Sequence, residues 1–420
     1  MILLSRLIAL LISSAGRTRP RKVFQGENVR WSGSMVMLAD GLKSLNPEPE
    51  LAVPLPRSLI GVMANEPRQS RGLFDFKDYQ LAIVEFDDQG RCYQRHQMKE
   101  VADWLSAHSG IDVIIVIFVH GWKHDARSDD SNLANFQVVI QDTVAREKEE
   151  RARIGKTSRP ILGVFVGWRG MSLYDRFGIV ENLTFWDRQD AGRKVAVGSV
   201  RELFGQFRHY RNRRRDEGGV PLLIIVGHSF GGMVVYSALA QSLIEAASGA
   251  ISHVSTRFAD LVLLVNPAFE AVRYLPIYDL LKERADAKID VAQPPVFVCA
   301  TATNDWATGL AFPIGNAYCL LTESWRGVQE RQAMINTIGH LDWLTTHELK
   351  AIDTSPGFEL RPRTTGPQHP YWVVSAAPSA INGHNGIFQA PFLKFVAALV
   401  FAHVSKGPNL SRDEPKPGFE

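Results

Sequence analysis

This chain has little cysteine and little net charge, and each shortage closes off a class of function. Its three cysteines, Cys92, Cys299 and Cys319, show no metal-ligand spacing, and pairing any two leaves the third alone. Neither a disulfide framework nor a cysteine-built metal site organises such a chain. Cys299 lies in the apolar run Val296-Phe297-Val298-Cys299 and reads as a small core residue. No His/Cys cluster suggests a metal site. A formal net charge of +3 is too small to point to nucleic acid or acidic substrates. The basic runs at residues 17–22 and 208–215 read as solvated linker or loop.

The N-terminal end also lacks a membrane span. Residues 7–12 are apolar, but the stretch is too short to cross a bilayer even counted from Met1. Arg6 precedes it, Ser13-Ser14-Ala15 offers a small-residue cleavage site, and no lipobox cysteine follows. Export, peripheral membrane anchoring and an unstructured leader all fit, as does a start placed too early, with Met35 and Met37 as later starts. A cytoplasmic location is the favoured expectation.

What is present is an ordinary globular composition, 45% hydrophobic and 22% charged over 420 residues, enough for one large domain with extensions. Residues 1–75 are rich in Pro, Gly, Arg and Ser and read as an N-terminal extension; residues 76–405 form the main domain, and 406–420 a loose tail. No internal repeat is visible. In the main domain, residues 79–86 alternate as a strand, with residues 91–95 able to return as a hairpin partner. Strand-like runs at 113–119, 160–166, 222–226, 261–265, 296–300 and 371–374 are interleaved with helical spacings at 98–107, 132–151, 188–208, 231–240 and 392–400. Such alternation predicts an α/β fold, a mostly parallel sheet with helices on both faces. The final stretch before the last strand reads as an insertion between the last two strands.

Functional groups in such folds collect at the carboxyl ends of strands. Gly227-His228-Ser229-Phe230-Gly231 follows the run Leu222-Leu223-Ile224-Ile225-Val226 and opens a helix. A serine on so sharp a strand-to-helix turn has its hydroxyl lifted above the sheet at the positive end of the helix. A hydroxyl needs a base to take its proton and a third group to orient that base. His384, in the glycine-flanked loop Asn382-Gly383-His384-Asn385-Gly386 after the last strand, is the base candidate, with His340 as the rival. Asp305 in Thr303-Asn304-Asp305-Trp306 is the acid candidate, with Asp342 as the alternative. Oxyanion donors are expected from the backbone of Trp122, in His120-Gly121-Trp122 after residues 113–119, and of Phe230. Each such donor is typically worth about 3 kcal/mol. His120 itself reads as a residue that bonds loop backbone. Trp306, Phe312, Trp325, Trp343, Leu344, Trp168, Tyr174, Phe177 and Trp186 are either pocket walls or ordinary packing on the sheet.

Together, Val119-His120-Gly121-Trp122, Gly227-His228-Ser229-Phe230-Gly231, Asp305 and Asn382-Gly383-His384-Asn385 resemble the α/β-hydrolase superfamily over residues 79–403. The segments at 165–170 and 183–188 are similar to those of uncharacterised bacterial members described only as hydrolases or serine esterases. The resemblance implies Ser229 as nucleophile, Asp305 as acid, His384 as base, and Trp122 and Phe230 as oxyanion donors. It also implies an esterase or lipase-like serine hydrolase working through an acyl-enzyme without a cofactor or metal. The expected partner is a small-molecule or lipid ester, with no nucleic acid, and the oligomeric state is left open. A departure from the pattern is the short gap before the acid's strand, where large caps usually sit; the longer insertion lies between Asp305 and His384. A ligand-holding protein without turnover and an acyltransferase with the same three residues are the competing expectations.

Overall fold

The computed structural model describes residues 71–405 apart from 88, 122–125, 169–190, 249–256, 284–293, 318–322, 353–356 and 364–368. Along the chain run β1 (Leu73–Phe76), β2 (Tyr79–Phe86), α1 (Arg95–Ala107), β3 (Ile114–Val119), α2 (Ser131–Arg153) and β4 (Ile161–Trp168). Next come α3 (Ser199–Asp216), β5 (Leu222–His228), α4 (Phe230–Ala247), β6 (Leu261–Val265), α5 (Leu275–Glu283) and β7 (Phe297–Ala302). The last elements are α6 (Phe312–Asn316), α7 (Val328–Ile335), β8 (His347–Ile352), β9 (Gly357–Pro362), β10 (Tyr371–Ala376) and α8 (Ala390–Ser405).

The ten strands form one sheet in the order β1-β2-β4-β3-β5-β6-β7-β10-β8-β9. All pairings are parallel except β1 with β2 and β8 with β9, so the antiparallel pairs close the two edges. Strands covered on both faces must be apolar throughout. β3 obeys: Ile115, Ile117 and Val119 pack into one core, while Ile114, Val116 and Phe118 pack into the other. Each such buried side chain contributes about 1.5–3 kcal/mol. α4 is long and apolar enough to cross a membrane, yet it lies in the first core, with Met233, Val234, Val235 and Tyr236 fully buried.

Four departures from the sequence expectations have physical causes. First, residues 91–95 do not return as a strand: a single bridge joins Phe86 to Cys92, and Arg95 already starts α1. Second, β1 begins in the last residues assigned to the extension, crosses into the main domain at Phe76, and pairs with β2. Third, the segment between β7 and β10 is not a strandless insertion, because it holds β8 and β9, with β8 running parallel to β10. Fourth, the helix expected at 188–208 is two pieces: residues 191–197 are helical, Gly198 breaks the run, and α3 continues to Asp216. That last change overturns the solvated-loop expectation for residues 208–215. They belong to α3, and Arg211 is fully buried against Asp260, which lies one residue before β6. The N-terminal apolar stretch, Cys319, Tyr174, Phe177 and Trp186 lie outside the described residues.

Candidate active site

β5 carries the chain to His228, and Ser229 then turns it into α4. Ser229 adopts φ 57°, ψ −122°, a backbone region costly for a residue with a side chain. The turn holds because its backbone is tied on both sides. The Ser229 N–H donates to Val265 O (3.0 Å), and its carbonyl accepts from Ala268 N (3.0 Å) and Met233 N (3.3 Å). A Cβ at Gly227 would lie 2.7 Å from Gly231 O, and one at Gly231 would collide with the Val119 and His120 carbonyls. Small residues on either side are therefore a packing requirement of the turn.

Register brings the other groups to the same end of the sheet. Gly227 pairs with Val119 of β3, His228 with Val265 of β6, and Val265 with Ala300 of β7. β10 lies beside β7, with Ala376 opposite Ala302, so the loops leaving β7 and β10 are neighbours. The first loop presents Asp305 and the second His384. Ser229 Oγ lies 2.8 Å from His384 Nε2, and His384 Nδ1 lies 2.8 Å from Asp305 Oδ2.

A carboxylate can only accept, so Nδ1 carries the proton toward Asp305 and leaves the Nε2 lone pair to accept from the Ser229 hydroxyl. Asp305 is 2% exposed, and burial alone would raise its pKa. The charge and hydrogen bond of His384 and the bonds from Thr308 outweigh that, holding the carboxyl down at about 2. Asp305 stays ionised and does not take a proton from the ring. The His384 side chain is 23% exposed, so the ring is partly open to solvent.

The rival histidine is not beside the serine. His340 Nε2 bonds the Thr308 hydroxyl (2.9 Å), behind Asp305. Asp342 is at the surface with Arg363. Phe230 is the first residue of α4, which places its amide at the helix N-terminus beside Ser229. Trp122 lies outside the described residues, but its neighbour Gly121 is against the turn: a Cβ there would lie 2.9 Å from Ser229 Cβ. His120 is buried and bonds backbone on both sides, with Nδ1 2.7 Å from Gly121 O and Nε2 accepting from Trp168 N (3.1 Å). Of the wall candidates, Trp168, Phe312 and Leu344 are buried core residues, while Trp306 and Trp325 are exposed. Among the described residues no group of His, Cys, Asp and Glu could hold a metal ion.

Three residues that hold the His384 loop escaped sequence reasoning. His228 Nε2 lies 3.0 Å from the His384 carbonyl, which only accepts, so this ring donates from Nε2. Its ring sits 4.9 Å from that of His384. Asn266, immediately after β6 at φ 45°, donates to Gly383 O (3.2 Å) and His384 O (2.8 Å) and accepts from Ala302 N (2.9 Å). Asn304 exchanges bonds with Asn382 and Gly383. The signal was available for Asn266 and Asn304: both follow strands at the end where functional groups gather.

No family model matches the chain, and no curated protein matches it. Among solved structures it is similar to phospholipase PlaB from Legionella pneumophila in complex with thio-NAD, at 14% identity and a TM-score of 0.31. That match covers 70% of this chain and 60% of the phospholipase, so the chain spans less than two thirds of its length. A second structure of the same phospholipase gives 13% identity, TM-score 0.30, and coverage of 70% and 62%. A protein titled FAE gives 11% identity, TM-score 0.27, and coverage of 72% and 81%. At these values, function has to be read from the residues themselves.

Proposed function

We propose that this chain is a serine hydrolase of α/β-hydrolase type that cleaves carboxylic esters through an acyl-enzyme on Ser229. The observation that carries this reading is the unbroken chain Ser229 Oγ, His384 Nε2, His384 Nδ1, Asp305 Oδ2, with both links at 2.8 Å. Ser229 Oγ attacks the ester carbonyl carbon while His384 Nε2 takes the hydroxyl proton. The negative charge that forms on the carbonyl oxygen faces the N-terminal end of α4, where the Phe230 amide lies, with Trp122 as the second expected donor. Asp305 remains charged and stabilises the imidazolium that results. That imidazolium then passes its proton to the leaving alkoxide, which departs as alcohol. Water, deprotonated by the same ring, attacks the acyl-enzyme and releases the acid and free Ser229.

Hydrogen-bond reach from serine to histidine favours turnover over a ligand-holding role, since a binding protein has no need of a base aimed at the hydroxyl. Partial exposure of the His384 ring leaves room for the attacking water and favours hydrolysis over transfer to another acceptor. A series of p-nitrophenyl acyl esters, followed by product analysis, tests this. Wild type should release free acid and alcohol, and Ser229→Ala should lower the rate by about a millionfold. Equal rates for the two proteins would overturn the reading.

A further inference from the structure

Asp305 is held from two directions, and only one of them leads to Ser229. Its Oδ2 accepts the His384 Nδ1–H and also the Thr308 hydroxyl, which lies 2.6 Å away. Its Oδ1 accepts the backbone amides of Ala307 (2.9 Å) and Thr308 (3.2 Å). Thr308 is 1% exposed, on the single π-helical turn that follows Asp305. Because its one hydroxyl proton is committed to the carboxylate, its oxygen can only accept from His340, 2.9 Å away. His340 is therefore protonated on Nε2, and four side chains lie in one line of donors: His340 N–H to Thr308, Thr308 O–H to Asp305, and His384 N–H to the same Asp305 oxygen.

The second arm is built tightly. The His340 ring packs on Gly309, where a Cβ would lie 2.9 Å from Cε1, and the segment bearing His340 is anchored by its own amide to Thr337 O (3.2 Å). A Cβ at Gly339 would collide with the Thr301 side chain of β7, so this segment is packed directly on the strand that delivers Asp305. We propose that Thr308 and His340 are positioning residues that act through Asp305 and set the strength of its bond to His384. This inference rests on the hydrolase reading of Ser229, His384 and Asp305.

The direction of the effect follows from competition at one oxygen. A hydroxyl donated to a carboxylate is a charge-assisted bond that draws negative charge toward itself. Taking it away leaves more of that charge for the His384 imidazolium, so His384 should hold its proton to higher pH. Burial holds His340 below the ordinary histidine pKa, with Asp305 opposing and His384 adding to that shift, so the ring is neutral at pH 7. Asp305 and His384 are the charged or titratable groups that face it; Asp342, on its own segment, is turned to Arg363.

Proton NMR on the full chain reads this directly through the His384 Nδ1–H resonance, assigned by its loss in His384→Gln. Thr308→Val, which keeps the shape and removes the hydroxyl, should raise the titration midpoint of that resonance by about half to one pH unit. Thr308→Ser should restore it. The pH profile of fluorophosphonate labelling at Ser229 should show its acid limb displaced upward by the same amount. If Thr308→Val does not fold, His340→Leu carries the test: Thr308 loses its donor and the midpoint moves in the same direction by a smaller step, with His340→Gln, which keeps an N–H, restoring it. A midpoint unchanged in the folded variants would overturn the second arm while leaving Ser229 labelling intact. A shifted midpoint in a protein that never labels at Ser229 would support the arm and overturn the hydrolase reading instead.

Discussion

Asp260 and Asp305 are 3% and 2% exposed, at opposite ends of the neighbouring strands β6 and β7, and the pKa of each is held down at about 2. Their partners differ in kind. Asp260, just before β6, meets Arg211 through two bonds (3.0 and 2.6 Å), Arg215 (2.6 Å) and the Leu223 amide (2.8 Å). Arginine is always charged, so that end of the sheet is neutralised permanently. The same end carries Glu147 with Arg159 and Arg151, and Asp112 with Arg214. Asp305, just after β7, meets a histidine, which gains its charge only when it takes a proton. Both carboxylates are buried and ionised, but only Asp305 has a partner whose charge can follow a reaction.

Exchanging each carboxylate for its amide should separate the two roles. Asp305→Asn should lower ester hydrolysis by about ten-thousand-fold, since the amide oxygen stays with the Ala307 and Thr308 N–H groups and its NH2 turns to the ring and selects the wrong tautomer, while the fold loses less stability than in the Asp260 variant because no buried arginine is stranded. Retained activity in the folded variant would break the contrast from that side. Asp260→Asn should instead destabilise the fold by about 3–5 kcal/mol, because it strands the fully buried Arg211. The folded fraction should keep its activity. The wild type's stability should also depend on acid in a defined window. A depressed carboxyl pKa contributes stability that is complete above the ordinary carboxyl value of 3.8 and is lost as pH falls through about 2. Denaturation curves of Asp260→Asn from pH 4 down to 2 should therefore slope less than wild type. An unchanged slope would show that Asp260 is not the group responsible.

The central strands and the three site loops were legible because their signals are local. Apolar runs such as Ile114–Val119 announce strands covered on both faces, and Ser229, Asp305 and His384 each stand shortly after one. The sheet's edges were not legible for the opposite reason. β8 and β9 carry polar, partly exposed residues such as Glu348, Lys350, Glu359 and Arg361, and their short alternation with Leu349, Ala351, Phe358 and Leu360 is a weaker signal than the unbroken apolar run of β3. The contacts that hold His384 were invisible because they are made across the sheet: Asn266 and His228 bond the carbonyl of a residue more than a hundred positions away. Arg211 misled by its neighbours. Within a run of arginines it looked solvated, yet it continues the buried stripe Val200, Leu203, Phe204 and Phe207 at helical spacing. Reading that phase through the basic run would have found it.

In the proposed mechanism the hydroxyl of Ser229 is the nucleophile. Labelling the full chain with a fluorophosphonate and mapping the adduct by mass spectrometry tests it most directly. One adduct is expected, on Ser229, formed by wild type, slowed severely in His384→Gln and absent in Ser229→Ala. No adduct on folded wild type, or an adduct that persists in Ser229→Ala, would contradict it.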